Sequence, residues 1–217
     1  MGYPGNDDAA GGPIAEAVAE AVAEAVAEAV AEENWTVRGG VSVTMRPARS
    51  GDYAGLRAFV DGLSTESRYF RFLTGGRVAD DTIRGFVHHR PGRDVAVVVT
   101  HRAADGRESI VANAEYVVNP DGVAELAVVV SDDWQGQGLG RRLIQRLQQL
   151  ARAGRLHGMR GDVLSENRRM LAIMRDCGFS ARRNPEDSRL HEVSLTLHET
   201  PTRVRNDWLP LDWFAAR

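Results

Sequence analysis

Two Asp-Gly pairs, Asp105-Gly106 and Asp121-Gly122, divide residues 94–130 into three runs rich in valine and alanine. Asp-Gly between apolar runs is a strong tight-turn signal, because both central positions of the favoured hairpin turn require positive φ. The runs 94–100, 109–118 and 123–130 are therefore expected to form an antiparallel meander. This constrains the fold strongly, since parallel strands need crossover connections of a dozen or more residues, usually carrying a helix. Residues 127–130, Ala-Val-Val-Val, show no alternation, which predicts burial on both faces near the centre of a sheet.

On either side of the meander the apolar period changes. Val41, Val43 and Met45 alternate with polar residues, so a first strand is expected to start the globular part near Val41 and to end at Pro47. Asp52 can cap a helix running to Leu63; a second helical stretch is expected from Ser67, and another from Asp80 to about His89. Beyond the meander, Leu139, Leu143, Ile144, Leu147 and Leu150 fall on one face of a helix reaching about Ala153. A strand over 158–164 follows, then a helix that Ser165 can cap and that ends before Gly178. Val193, Leu195 and Leu197 alternate as a late strand.

The ends of the chain read differently. Residues 14–32 repeat Val-Ala-Glu-Ala, a tract of strong helix formers whose valines drift round the helix and whose glutamates are like charges four apart. The expected organisation is a low-complexity, helical N-terminal extension over 1–40, one domain over 41–198, and a tail over 199–217 holding Trp208 and Trp213. Of the 217 residues, 43% are hydrophobic and 26% charged, as in ordinary globular proteins. With a net charge of −3 and basic residues spread along the chain, a nucleic-acid partner is not expected. A glutamate at every fourth position of the helical tract argues against a membrane span. One cysteine, Cys177, and a start without a basic stretch followed by an apolar run suggest a cytoplasmic protein. His101, His157, His191 and His198 are scattered without metal-ligand spacing, so no metal is expected.

Chemistry concentrates where the meander ends. The segment Val130-Ser131-Asp132-Asp133-Trp134-Gln135-Gly136-Gln137-Gly138-Leu139-Gly140-Arg141 passes from a buried strand through a glycine-rich turn into an amphipathic helix. Glycines let the backbone curl round an anion with its N–H groups inward, and the helix N-terminus adds its dipole. Arg141 and Arg142 can supplement that grip. A dinucleotide fold also offers such a loop, but it needs a parallel sheet and an acidic ribose-binding residue further on. A P-loop needs lysine, and this chain has none.

Gln135-x-x-Gly138-x-Gly140 after an apolar strand resembles the acyl-CoA loop of the GNAT superfamily of acetyltransferases. The order of elements over 41–198 is similar to that family's as well. The resemblance implies an α/β (α+β) fold, with a mixed, mostly antiparallel central sheet flanked by helices. It also implies N-acetyl transfer from acetyl-CoA to an amine. By the same likeness the backbone of Val128 and Val130 would pair with the pantetheine arm. The amides of Gln135, Gly136, Gln137, Gly138, Leu139, Gly140 and Arg141 would hold the diphosphate, and Asn167 would lie beside the arm, although an ordinary helix start explains Asn167 too. Residues 63–72, Leu-Ser-Thr-Glu-Ser-Arg-Tyr-Phe-Arg-Phe, and 166–171, Glu-Asn-Arg-Arg-Met-Leu, are further similar to bacterial protein-lysine acetyltransferases. The acceptor is accordingly a protein lysine or a small amine, and a homodimer is compatible with the family.

An alkylammonium acceptor, with a pKa near 10.4, must lose a proton before its nitrogen attacks a thioester. Glu125 aligns with the catalytic glutamate of the enzymes this chain resembles and is the first candidate base. A solvent-facing strand glutamate without a role is the plain alternative. Glu115, on the neighbouring strand, is the second candidate, and His88 and His89 are weaker ones at a helix end. Met174 stands where many family members carry a tyrosine that protonates the leaving thiolate. Tyr116 or a water could replace it, or no acid is needed.

Overall fold

The computed structural model describes residues 31–87 and 94–197. The tract 14–30, His88, His89, His198 and the tryptophan tail, on which several expectations fell, lie outside the described residues. Eight strands form one sheet in the order β1-β2-β3-β4-β5-β6-β8-β7. They are β1 (Glu33–Thr36), β2 (Ser42–Pro47), β3 (Val95–Arg102), β4 (Glu108–Val118), β5 (Val123–Val130), β6 (Gly158–Leu164), β7 (Ser180–Arg183) and β8 (Leu190–Thr196). The helices are α1 (Tyr53–Gly62), α2 (Thr65–Phe72), α3 (Asp80–Gly85), α4 (Leu139–Ala153) and α5 (Arg168–Asp176).

The meander forms as the Asp-Gly turns require. β3 pairs with β4 and β4 with β5, both antiparallel, and the second turn closes through Gly122 N–H to the Asn119 carbonyl at 3.0 Å. The sheet separates two apolar layers. On one face Leu139, Leu143, Ile144, Leu147 and Leu150 of α4 pack on Ala114, Tyr116, Leu126, Val128 and Met159. On the other, Leu56, Phe59 and Val60 of α1 and Ile83 of α3 cover Ala96, Val98 and Val129. Even-numbered residues of β5 thus face α4, and odd-numbered ones face the side of α1, α2 and α3.

Three expectations are corrected. The folded part begins before Val41: β1 pairs antiparallel with β2, and Trp35 is 2% exposed in the α4-side core. Arg142 of α4 lies 4.4 Å above the Trp35 ring and Arg146 pairs with Glu33 at 2.6 Å, so this strand is locked to the domain. Asp52 precedes α1 but turns its carboxylate to Arg46, at 2.7 Å, and to the Arg49 N–H, rather than capping the helix. Asn167, not Ser165, caps α5 by accepting from the Met170 N–H at 3.0 Å, while the Ser165 hydroxyl meets the Ser188 carbonyl and His191. Replacing Trp35 with alanine should therefore lower unfolding free energy by about 3–5 kcal/mol, the usual cost of truncating a buried indole. Denaturant titration measures it, and an unchanged midpoint would place Trp35 in a disposable extension.

Candidate active site

The only parallel neighbours in the sheet, β5 and β6, pair over just Val123–Glu125 against Gly158–Arg160. Beyond Glu125 the two strands part and leave a wedge. The strand alternation fixes which backbone groups of β5 face that wedge. The Leu126 carbonyl lies 3.1 Å from where a Cβ on Gly161 of β6 would stand, and the Gly122 carbonyl accepts from His157. The Val123 carbonyl and the Ser131 N–H instead bond on the β4 side. Even-numbered residues of β5 consequently turn their N–H and C=O towards β6, so those of Val128 open into the wedge. Those of Val130 do so as well, but the Val130 carbonyl already accepts from Gln135 Nε2 at 3.2 Å.

At the wide end of the wedge the chain makes a short 3-10 turn, Asp132–Trp134, and then the glycine-rich loop. Gly136 and Gly138 take φ of +80° and +94°, a region that side-chain-bearing residues rarely adopt. The first backbone bond of α4 runs from the Arg142 N–H to the Gly138 carbonyl. The N–H groups of residues 136–141 therefore have no acceptor among the described residues. Six successive donors ending on the N-terminus of a 15-residue helix form a cradle for an oxyanion or diphosphate.

Side chains round the cradle differ from expectation. Arg141 pairs with Asp176 at the end of α5, and Arg142 is spent on Trp35, so neither guanidinium is aimed at the loop. Arg169 takes that place: its Nη1 donates to Gln135 Oε1 at 3.1 Å, and its Nη2 lies 3.5 Å from where a Cβ on Gly136 would stand. Leu139 is buried in the core and offers the loop only its amide. Gln137 folds its side chain back on the Asp133 carbonyl, at 3.1 Å. Asn167 follows β6, its N–H bonded to the Leu164 carbonyl, and its Oδ1 is occupied as the cap of α5.

The two glutamates have unlike surroundings. Glu125 is exposed on the α2 side of β5 and makes no hydrogen bond or ion pair among the described residues. Glu115 sits on the same face one step diagonally away, opposite Ala127, and is half-buried against Arg71 of α2 at 2.5 Å. Burial pushes the Glu115 carboxyl above its ordinary range and the Arg71 guanidinium below its own, and their contact pulls against both. Arg71 also packs 4.9 Å from the Phe72 ring centre and 5.5 Å from that of Phe86. Held this way, Glu115 anchors α2 to the sheet. Asp162 of β6 lies near Glu125 and Glu192, and burial together with these two negative neighbours raises its carboxyl above the usual range. Tyr116, considered as an acid, is ruled out by its place: it is 2% exposed on the α4 face, and burial raises its phenol far above the ordinary value. Met174 is buried in the same core.

Sequence reasoning passed over Asp132, Ser64 and Ser67. Asp132 accepts from the Ser64 N–H at 2.9 Å and from the hydroxyls of Ser64 and Ser67 at 2.7 Å each. The one local signal was the Ser64-x-x-Ser67 spacing of a helix start, which says nothing of a partner 68 residues away.

The parted strands and the run of free amides at their mouth are the arrangement that the resemblance of the loop to acetyltransferases leads one to expect. The model of the acetyltransferase (GNAT) family matches residues 62–179. A curated Pseudomonas aeruginosa acetyltransferase is 31% identical over 163 residues, covering 72% of this chain and 86% of that protein. The chain belongs to the GNAT acetyltransferase family. Among solved structures, the GNAT domain of S. lividans PAT is similar at 23% identity and a TM-score of 0.68, over 76% of this chain and 97% of that one. Spermidine N-acetyltransferase from Vibrio cholerae, solved with CoA and spermine, is similar at 18% identity and a TM-score of 0.56, over 71% of this chain and 95% of that one. No helix among the described residues is long and apolar enough to cross a membrane, and no group of three or more potential metal ligands occurs among them.

Proposed function

We propose that this acetyltransferase acts on a primary amine, a protein lysine first, by direct attack with Glu125 as general base. The observation that carries the reading is the wedge itself. It leaves the Val128 N–H free to polarise a thioester carbonyl, and it opens beside Glu125, whose carboxylate has no partner among the described residues. Residues 136–141 hold the diphosphate of acetyl-CoA through their amides, and Arg169 stands nearby as the counter-charge. Glu125 takes a proton from the alkylammonium, directly or through one water. The freed nitrogen forms a bond to the acetyl carbon, the carbon–sulfur bond breaks, and the thiolate leaves. A thiol of pKa near 8.5 is a tolerable leaving group, so solvent suffices to protonate it and no side chain is assigned that task.

Glu125, Asp162 and Glu192 outnumber the neighbouring Arg160, which is turned to Asp121, and their net negative charge favours a cationic substrate. The protein-lysine reading is supported by the likeness of residues 63–72 to protein-lysine acetyltransferases. A small polyamine is the second reading, favoured by the same three carboxylates. An acceptor screen following acetyl-CoA consumption separates them: lysine-bearing proteins should be acetylated and free polyamines should not. Turnover on polyamines alone would reverse the assignment. Because the chain contains no lysine, incubation with acetyl-CoA should leave its own side chains unacetylated by mass spectrometry.

The domain is proposed to run from Glu33 to about residue 198, with the repeat tract outside it. The cytoplasm is its proposed location.

A further inference from the structure

Asp132 stands at the rim of the loop, yet every contact it makes points away from the cradle and into α2. Its Oδ2 accepts from the Ser64 N–H, and its Oδ1 accepts from the hydroxyls of Ser64 and Ser67. Ser64 is itself the N-cap of α2, receiving the Ser67 N–H at 3.1 Å. The buried Ser67 hydroxyl donates to Asp132 and accepts from Gln135 Nε2 at 3.0 Å. Gln135 continues the chain to the Val130 carbonyl and, through its own carbonyl, to Arg169 of α5. One network therefore joins the start of the glycine-rich loop at Gln135, the last residue of β5, the start of α5 and the first turn of α2.

The far end of α2 lines a cavity on the face of β5 that carries Glu125. Arg71 holds Glu115 beneath that surface, and Tyr69 and Leu73 form one wall of a cavity of about 120 Å³ whose other wall is Leu164, Asp187, Arg189 and Leu190. α2 has only eight residues and buries little apolar surface of its own, Ser67 being its one fully buried residue. A helix so short is marginal alone, so external contacts set its position.

We infer that Asp132 is a positioning residue that couples the two substrate sites: filling of the amide cradle at residues 136–141 fixes α2, and α2 then presents the acceptor wall. The inference rests on the reading of the cradle given under Proposed function. Partial burial disfavours the ionised form of Asp132, but bonds from Ser64 and Ser67 outweigh it and hold the carboxyl below its usual range, so the charged acceptor persists at neutral pH. Coupling of this kind is reciprocal, so an acceptor ordering α2 would also tighten the hold on the diphosphate.

Hydrogen exchange on the full chain, with and without coenzyme A as probe, tests this without a known acceptor. In the wild type, coenzyme A should slow exchange in residues 136–141 and also in 65–72, the latter by about fivefold or more, the lower range of ordinary site-to-site coupling. Asp132→Asn should keep the first effect and lose the second. The double variant Ser64→Ala with Ser67→Ala removes both hydroxyl donors to the carboxylate and should do the same, so it decides the matter if Asp132→Asn loosens the fold. Protection of α2 that persists in both variants, or that is missing in the wild type while the loop is protected, overturns the coupling and leaves the cradle standing. A wild-type loop that coenzyme A does not protect removes the cradle reading and the coupling together.

Discussion

Replacing Glu125 with glutamine should lower turnover by about 10²-fold or more while acetyl-CoA binds as before, because general-base catalysis typically contributes that much. At neutral pH only a few parts in ten thousand of an alkylamine of pKa about 10.4 carry a free lone pair, so losing the proton acceptor falls directly on the reactive fraction. Glu125 is exposed and has no partner among the described residues, so the amide should cost little stability. Steady-state kinetics beside calorimetric titration of acetyl-CoA makes the measurement. An unchanged rate would return Glu125 to the status of an ordinary surface glutamate. Glu115→Gln supplies the contrast. It strips the half-buried Arg71 of its counter-charge; breaking a fully buried pair typically costs about 3–5 kcal/mol, so a smaller loss, read as a lowered melting temperature, should be its signature.

The second large effect is expected at Gly138. Its φ of +94° is accessible to glycine and strongly disfavoured for a β-branched residue, while the space beside it is open, with no atom within 4 Å of an added Cβ. Valine there would strain the backbone without a steric clash, and the cradle would have to reshape. Strain of about 1–3 kcal/mol corresponds to a loss of roughly 5- to 150-fold in affinity for coenzyme A. Asparagine, which tolerates positive φ better, should lose less. Equal affinities for wild type and valine variant would mean that these amides do not hold the diphosphate.

Features governed by local chemistry were legible in the sequence. The Asp-Gly turns fixed the pairing of β3, β4 and β5, and the leucine period of α4 marked its buried face. The glycine-rich segment identified the loop by its residue types alone. Four-residue β1 escaped notice because Trp35 is its single large apolar residue and a repeat of helix formers runs straight up to it. The errors within the site share a cause, which is partners distant along the chain. Asp176, 35 residues on, takes Arg141; Arg71, 44 residues back, takes Glu115; and Ser64 and Ser67, more than 60 residues back, take Asp132. Arginine can serve an anionic ligand or an anionic neighbour equally well, and only the folded chain decides which it meets.

The brief pairing of β5 with β6 has a consequence for how the protein endures. In the sheet itself only three rungs clasp five strands to the remaining three, much as a short spine holds two leaves of a book, with α4 packed across both. If a pantetheine arm lies along the open edge of Val128, it supplies hydrogen bonds that the sheet lacks and acts as a removable strand. A ligand present at a hundred times its dissociation constant adds about 2.7 kcal/mol to a fold that binds it only when native. Resistance to heat and to proteolysis would then rise and fall with the supply of acetyl-CoA, and the survival of the enzyme would report on the metabolite it consumes.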